Sequence, residues 1–317
     1  MHPAFSVIFL TTLIGVGQGL FIAVFTAEYF NWIGLLNVEV DPMFYIIGGL
    51  VSLVFMAGGL LASFFHLGHP ERAWRAASQW RTSWLSREVI ALPAFMAIEF
   101  LYVLAHYLQF NEPTTIIIGI VGVIATFALF ICTGMIYACL SFLREWASPL
   151  TIINFILFGL ASGFIFATAY SAYANPAFVQ TFGWFAVAFT VVVFITRSLS
   201  LSRNQKLKQK PKTTTQTAIG SHHTQVTQRS QGQMGGSYNT REFFHGKTEM
   251  FLKNMRGIFM VLVFPVPMIL MGLGLSAGNP NLLLAAFVIQ YVGLIAERWY
   301  FFAQVNHPQN LYYQTVS

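Results

Sequence analysis

Two residues carry the sharpest chemical signal in the chain: His66, which closes an apolar run, and Glu88, which opens the next one. The stretch that joins them, Phe64–Ile90, reads FFHLGHPERAWRAASQWRTSWLSREVI, with four arginines and three tryptophans between the histidine and the glutamate. If both flanking runs cross a membrane they are antiparallel neighbours, so imidazole and carboxyl reach one surface at similar depth. A histidine there accepts a hydrogen bond from a quinol hydroxyl and a carboxylate takes the second proton, which is general acid–base chemistry at the hydrocarbon edge. Leu67-Gly68 and Pro70 read as a helix stop after His66, and Ser86 reads as an N-cap just before Glu88. The plainer reading is that His66 snorkels toward the interface and that Glu88 favours a helix N-terminus.

Between the pair, Arg72, Arg75 and Arg81 alternate with Trp74, Trp80 and small residues, as in a short helix lying at the interface. Tryptophans and basic residues are ordinary at that level; the functional alternative is a docking surface for acidic groups of a soluble partner. Further along, Glu88, Glu99 and His106 are separated by eleven and seven residues, which puts them on one stripe of a helix. A bare charge at the depth of Glu99 costs about 2.5–3.5 kcal/mol on insertion scales, so it is expected to face the bundle, protonated or paired. The stripe Glu99–His106 is thus a candidate proton route, with a structural hydrogen bond as the alternative.

The elements that position these residues follow from composition. The chain of 317 residues is 56% hydrophobic and only 9% charged, against about a quarter charged in an ordinary globular domain. Eight runs approach the ~20 apolar residues needed to span: 5–30, 44–66, 88–110, 114–141, 150–173, 178–199, 258–277 and 282–303. The fold class is therefore an all-α integral membrane protein, a bundle of eight transmembrane helices with both termini on one side. All seventeen Lys and Arg fall in the loops of that side or at helix ends facing it, with Arg197 and Arg298 inside helix ends. The opposite loops carry only Glu39, Asp41 and Glu112, with Glu28 close by. The positive-inside rule then places the termini in the cytoplasm. The chain divides into residues 1–199 (six spans and the quinone-site loop 67–87), a basic loop at 200–257, and residues 258–317 (two spans and a tail).

Several function classes are excluded. The net charge of +6 is spread over membrane-flanking loops, which argues against nucleic acid. His66 and His106 sit at opposite ends of their spans and cannot jointly ligate haem. Cys132 and Cys139 are seven apart, about 10 Å along one helix face, too far for a disulfide, and two thiolates cannot hold an iron–sulfur cluster. They read as small core side chains. No metal site is expected, and the N-terminus lacks the basic n-region of a secretory signal. Within the long loop, the part through about Ser237 is rich in Gln, Thr, Ser, Gly and Lys and reads as disordered. Thr240–Arg256 reads as an amphipathic surface helix with Phe243, Phe244, Phe251 and Met255 on its apolar face.

Three blocks, MHPAFSVIFLTTLIGVGQG, HLGHPERAWRAASQWRTSWLSRE and ERWYFFAQVNHPQNLYY, resemble the membrane anchor subunit of dimethyl sulfoxide reductase-type enzymes, and the likeness runs through nearly the whole chain. The resemblance implies an eight-helix anchor in the bacterial cytoplasmic (inner) membrane that is non-catalytic alone, lacks haem and binds a quinone, menaquinone or ubiquinone. It implies partners too: a ferredoxin-like iron–sulfur subunit and a molybdopterin catalytic subunit. The family's quinol-site histidine falls on His66 in HLG and its acidic partner on Glu88 in SRE. The ERWYFFAQ block looks more like the branch whose complexes oxidise sulfite in the cytoplasm and feed electrons to quinone. The alternatives are an anchor of a terminal reductase that oxidises menaquinol, and a purely structural anchor with no quinone site. A transporter is disfavoured, because neither a mid-membrane charged cluster nor paired broken helices are apparent.

Overall fold

The computed structural model describes residues 1–65, 67–208 and 244–307. Among them are eight helical stretches long and apolar enough to cross a membrane. Hydrocarbon offers no partner to a free N–H or C=O, so a chain this apolar closes its backbone hydrogen bonds within helices. In order these are α1 (Phe5–Trp32), α2 (Pro42–Phe64), α3 (Trp84–Tyr107), α4 (Glu112–Ala138), α5 (Pro149–Ala174), α6 (Val179–Lys208), the pair α7 (Glu249–Val263) and α8 (Pro265–Ala277), and α9 (Pro280–Ala303). A 3-10 helix, Pro70–Gln79, links α2 to α3. Side chains that precede Pro or small polar residues start several of them: Asp41 accepts from the Met43 N–H, Ser148 from Leu150 and Asn279 from Asn281. The Met1 amine donates to the Val305 carbonyl at 3.2 Å, so the first helix begins where the last one ends. The loops at that end carry the Lys and Arg, and we call it the basic end; the other is the acidic end.

The bundle is organised around the crossing of α1 and α5, which carry much of the buried surface. Each presents two glycines one turn apart, Gly15 and Gly19 against Gly159 and Gly163. A Cβ on Gly19 would lie 2.1 Å from the Gly159 carbonyl oxygen, and one on Gly163 2.2 Å from the Gly19 carbonyl carbon. The two backbones touch because neither residue has a side chain, the small-xxx-small solution for helices that gain nothing by hiding from lipid. Around this seam α1 packs on α2, α5 on α6, α3 on α4, and α9 on α7, α8 and α5. Phe21 fills the notch at Gly122 of α4 and meets Phe95 and Tyr102 edge-on.

The structure corrects several expected boundaries. α3 starts at Trp84 with Ser83 as its N-cap, accepting from the Ser86 N–H at 3.4 Å. Ser86 is therefore a buried helical residue and not the cap, and Glu88 lies one turn inside the helix. α6 runs on to Lys208 because Leu201 and Asn204 are buried, so residues 200–208 belong to a helix rather than a linker. Thr240–Arg256 is not a surface helix where it is described: 244–248 are non-helical, Thr248 caps α7 by accepting from Phe251, and α7 leads directly into a span. Phe243 and the rest of 209–243 lie outside the described residues. The seventh span breaks at Phe264-Pro265, where proline removes an N–H from the ladder. Cys132 is buried but Cys139, at the end of α4, is exposed, so only the first is a core side chain.

Candidate functional site

Glu88 projects from the first turns of α3 into the basic end of the bundle and is buried, with 8% of its surface exposed. Its Oε1 accepts a 2.5 Å hydrogen bond from the Thr133 hydroxyl on α4. Beside it is a cavity of about 20 Å³ lined by Thr11, Thr12, Gln18, Glu88, Thr133 and Arg298, among others. That is room for a water, an order of magnitude short of the several hundred Å³ of a small-molecule pocket. A quinone ring does not fit within this cavity, a water-sized space beside the carboxyl lined by both polar and apolar residues. His66, the other half of the expected pair, lies outside the described residues.

The same cavity is lined by a cation, Arg298. Arg298 lies over the ring of Phe155, with Cζ 3.8 Å from its centroid, and contacts Glu297 at 3.4 Å. Glu297 in turn holds Arg197 of α6 at 2.7 Å. All three are buried and form a cluster of two guanidinium groups on one carboxylate across α6 and α9, and Arg298 shares the lining of the cavity with Glu88. The structure gives Arg197 to Glu297 and sets Arg298 in the lining of the cavity shared with Glu88. Thr133 and Gln18 left no signal, being polar residues of a kind scattered through all the spans.

Outside this cluster, Arg72 and Arg75 stand exposed on the 3-10 helix and Arg81 just after it. Arg75 and Arg81 stack on their neighbours Trp74 and Trp80 at 5.5 and 5.3 Å, and Arg87 on Trp84 at 4.1 Å. Arg87 also donates to the carbonyls of Trp80 and Arg81 at 2.9 and 2.8 Å, tying the end of the loop to α3. The result is a held basic surface directly over the end of the bundle that contains Glu88.

The stripe on α3 is as expected: Glu88, Glu99 and His106 are all buried, at 8%, 0% and 9% exposure. They do not form one site. Glu99 sits mid-helix with no hydrogen bond to either carboxyl oxygen; the adjacent Ser52 hydroxyl donates instead to the Gly17 carbonyl at 2.8 Å. His106 is at the acidic end, where its Nε2 is 3.4 Å from Glu28 Oε1. Sequence reasoning assigned Glu28 no role, although a carboxyl inside an apolar run is itself a signal.

The sequence model of the DMSO reductase anchor subunit (DmsC) matches residues 1–302. The chain belongs to this family. The DmsC match runs through all eight spans, and this chain is also 51% identical, over all of both sequences, to a sulfite dehydrogenase subunit of Allochromatium vinosum. That relative's name is the one expected of the branch that the ERWYFFAQ block resembles.

Proposed function

We propose that this chain is the membrane anchor and quinone-linked subunit of a heterotrimeric molybdopterin oxidoreductase that oxidises sulfite in the bacterial cytoplasm. A molybdopterin subunit releases two electrons from each sulfite, a ferredoxin-like iron–sulfur subunit relays them, and the anchor delivers them to a quinone. The sulfite assignment leans on the relative's name; the quinone assignment leans on one observation, a buried carboxyl at the basic end of the bundle beneath an exposed basic surface.

In this reading Arg72, Arg75 and Arg81 receive acidic groups of the iron–sulfur subunit, which brings a cluster close to the end of α2 and α3. A quinone approaching from the lipid meets this end of α2, with His66 as its hydrogen-bond partner. Reduction of the ring takes two electrons and two protons. Glu88 holds one proton at its carboxyl, and the water-sized chamber beside it lets that proton be replaced without opening the site to lipid. Thr133 fixes the carboxyl's orientation, and Arg298 supplies compensating charge when the proton has gone. The positive-inside rule puts this end in the cytoplasm, the compartment of the partner subunits.

The family description favours a second reading, in which the same anchor oxidises quinol and a partner reduces a sulfoxide. The two differ in direction, and one preparation separates them. The complex purified with and without this chain is given sulfite and either a soluble dye or a quinone analogue. The proposal expects dye reduction in both and quinone reduction only with the anchor. Equal quinone reduction without the anchor would overturn it, and sulfoxide-dependent quinol oxidation in place of sulfite turnover would establish the second reading.

A further inference from the structure

At the acidic end, away from Glu88 and its cavity, four helices converge on Glu28. Tyr102 of α3 donates to its Oε2 at 2.5 Å, and Thr115 of α4 hydrogen-bonds its Oε1. His106 Nε2 lies 3.4 Å from Oε1 with no hydrogen bond of its own, although the residue is only 9% exposed. The His106 ring is stacked on Tyr45 of α2 and edge-on to Tyr102, both with centroids 4.6 Å apart. The cluster is not sealed. An open cavity of about 320 Å³ reaches it, lined by Glu28, Asn31, Tyr45, His106, Glu112 and Thr115 together with apolar residues.

The hydrogen-bond count is what singles the site out. The Thr115 hydroxyl has one proton and two acceptors within reach, Glu28 Oε1 and the Glu112 carbonyl at 2.9 Å. With Glu28 ionised, Tyr102 and Thr115 both donate to it. With Glu28 protonated, it donates to Thr115, which turns its own proton to the Glu112 carbonyl. The same heavy-atom positions satisfy both charge states, so gain or loss of a proton requires only a hydroxyl rotation. His106 stands beside it as a second acceptor. Among the described residues no three His, Cys, Asp or Glu side chains are grouped to hold a metal ion; the ligand that suits this arrangement is a proton.

Inward of the cluster the next titratable group is Glu99, one turn from Tyr102 on the same face of α3 and fully buried. Among the described residues it has no hydrogen-bond or ion-pair partner, and an isolated carboxylate in such surroundings is costly enough that the neutral acid is the form the site holds. We propose that Glu28, with Tyr102, Thr115 and His106, is a proton-exchange site through which the aqueous phase at the acidic end reaches the carboxyl of Glu99. The groups that face it are Asn31 from α1, Tyr45 from α2, Glu99, Tyr102 and His106 from α3, and Glu112 and Thr115 from α4. The inference needs neither quinone nor sulfite.

Infrared spectra of the complete purified complex test it without any turnover. The carbonyl stretch of Glu99, assigned by its loss in Glu99→Gln, shifts when its proton is replaced by deuterium. The expected result is rapid exchange in the unaltered protein and exchange slowed about ten-fold or more in Glu28→Gln. Should Glu28→Gln fail to assemble, Tyr102→Phe and Thr115→Val keep the carboxyl but remove its donors, and slowing is expected in each. Exchange at the unaltered rate in the assembled variants would overturn the proposal. A failure of quinone reduction in the same preparations would count against the proposed function alone.

Discussion

Thr133 Oγ1 and Glu88 Oε1, forty-five residues apart, lie 2.5 Å from each other across the α3–α4 contact. One hydroxyl therefore decides where the carboxyl points, and it points toward the chamber it shares with Arg298. Thr133→Val removes that donor with little change in volume. The expected outcome is an intact complex whose quinone-linked rate falls while its dye-linked rate holds, read by assaying both on one preparation. Thr133→Ser, which keeps the hydroxyl, is expected to restore most of the rate.

The charge cluster makes a stability prediction. Glu297→Gln leaves Arg197 and Arg298 buried without their carboxylate, and breaking a buried pair from one side costs about 3–5 kcal/mol. Thermal unfolding of the purified protein in detergent is expected to show a large loss. The double variant Glu297→Gln/Arg197→Met is expected to recover part of it, because one of the two stranded charges is gone. A single variant as stable as the unaltered protein would mean the cluster is solvated.

At the α1–α5 seam the prediction is steric. Gly19→Ala places a methyl 2.1 Å from the Gly159 oxygen, so the helices must separate, at a cost of about 1–3 kcal/mol or more. Gly272→Ala is the control, since nothing lies within 4 Å of the added methyl. The first variant is expected to lower the unfolding temperature and the second to leave it unchanged.

Reversing charge at Arg72, Arg75 and Arg81 tests the docking surface. These side chains are exposed, so the bundle is expected to unfold as before. Association with the iron–sulfur subunit, followed by surface-immobilised binding, is expected to slow about ten-fold or more at low salt, with the difference shrinking as salt is raised. Unchanged association would move the interface elsewhere.

Much of this architecture was legible in the chain. Eight apolar runs became eight spans because length and hydropathy suffice when the backbone has no other way to satisfy itself. The Glu88–Glu99–His106 stripe came out buried because helical period is a local property. Boundaries fared less well: Ser83 and Ser86 are equally good caps on paper, and only the packing of Ser86 against the bundle decides between them. Of the site residues, Glu88, Glu99 and His106 stood out singly, whereas Glu28, Thr133 and the pairings between helices did not. Glu28 meets Tyr102 and Thr115 across separations of 74 and 87 residues, and Arg197 meets Glu297 across a hundred. No spacing rule links residues that far apart, and only the helix order brings them together.

The central claim is that Glu88 handles a proton of the quinone reaction, and Glu88→Gln tests it most directly. Glutamine keeps an oxygen for the Thr133 hydroxyl and the same volume, so the complex is expected to assemble and oxidise sulfite with a soluble dye at the unaltered rate. Its quinone-linked rate is expected to fall about 100-fold or more, the usual worth of a positioned acid or base. Quinone-linked turnover at the unaltered rate would contradict the account.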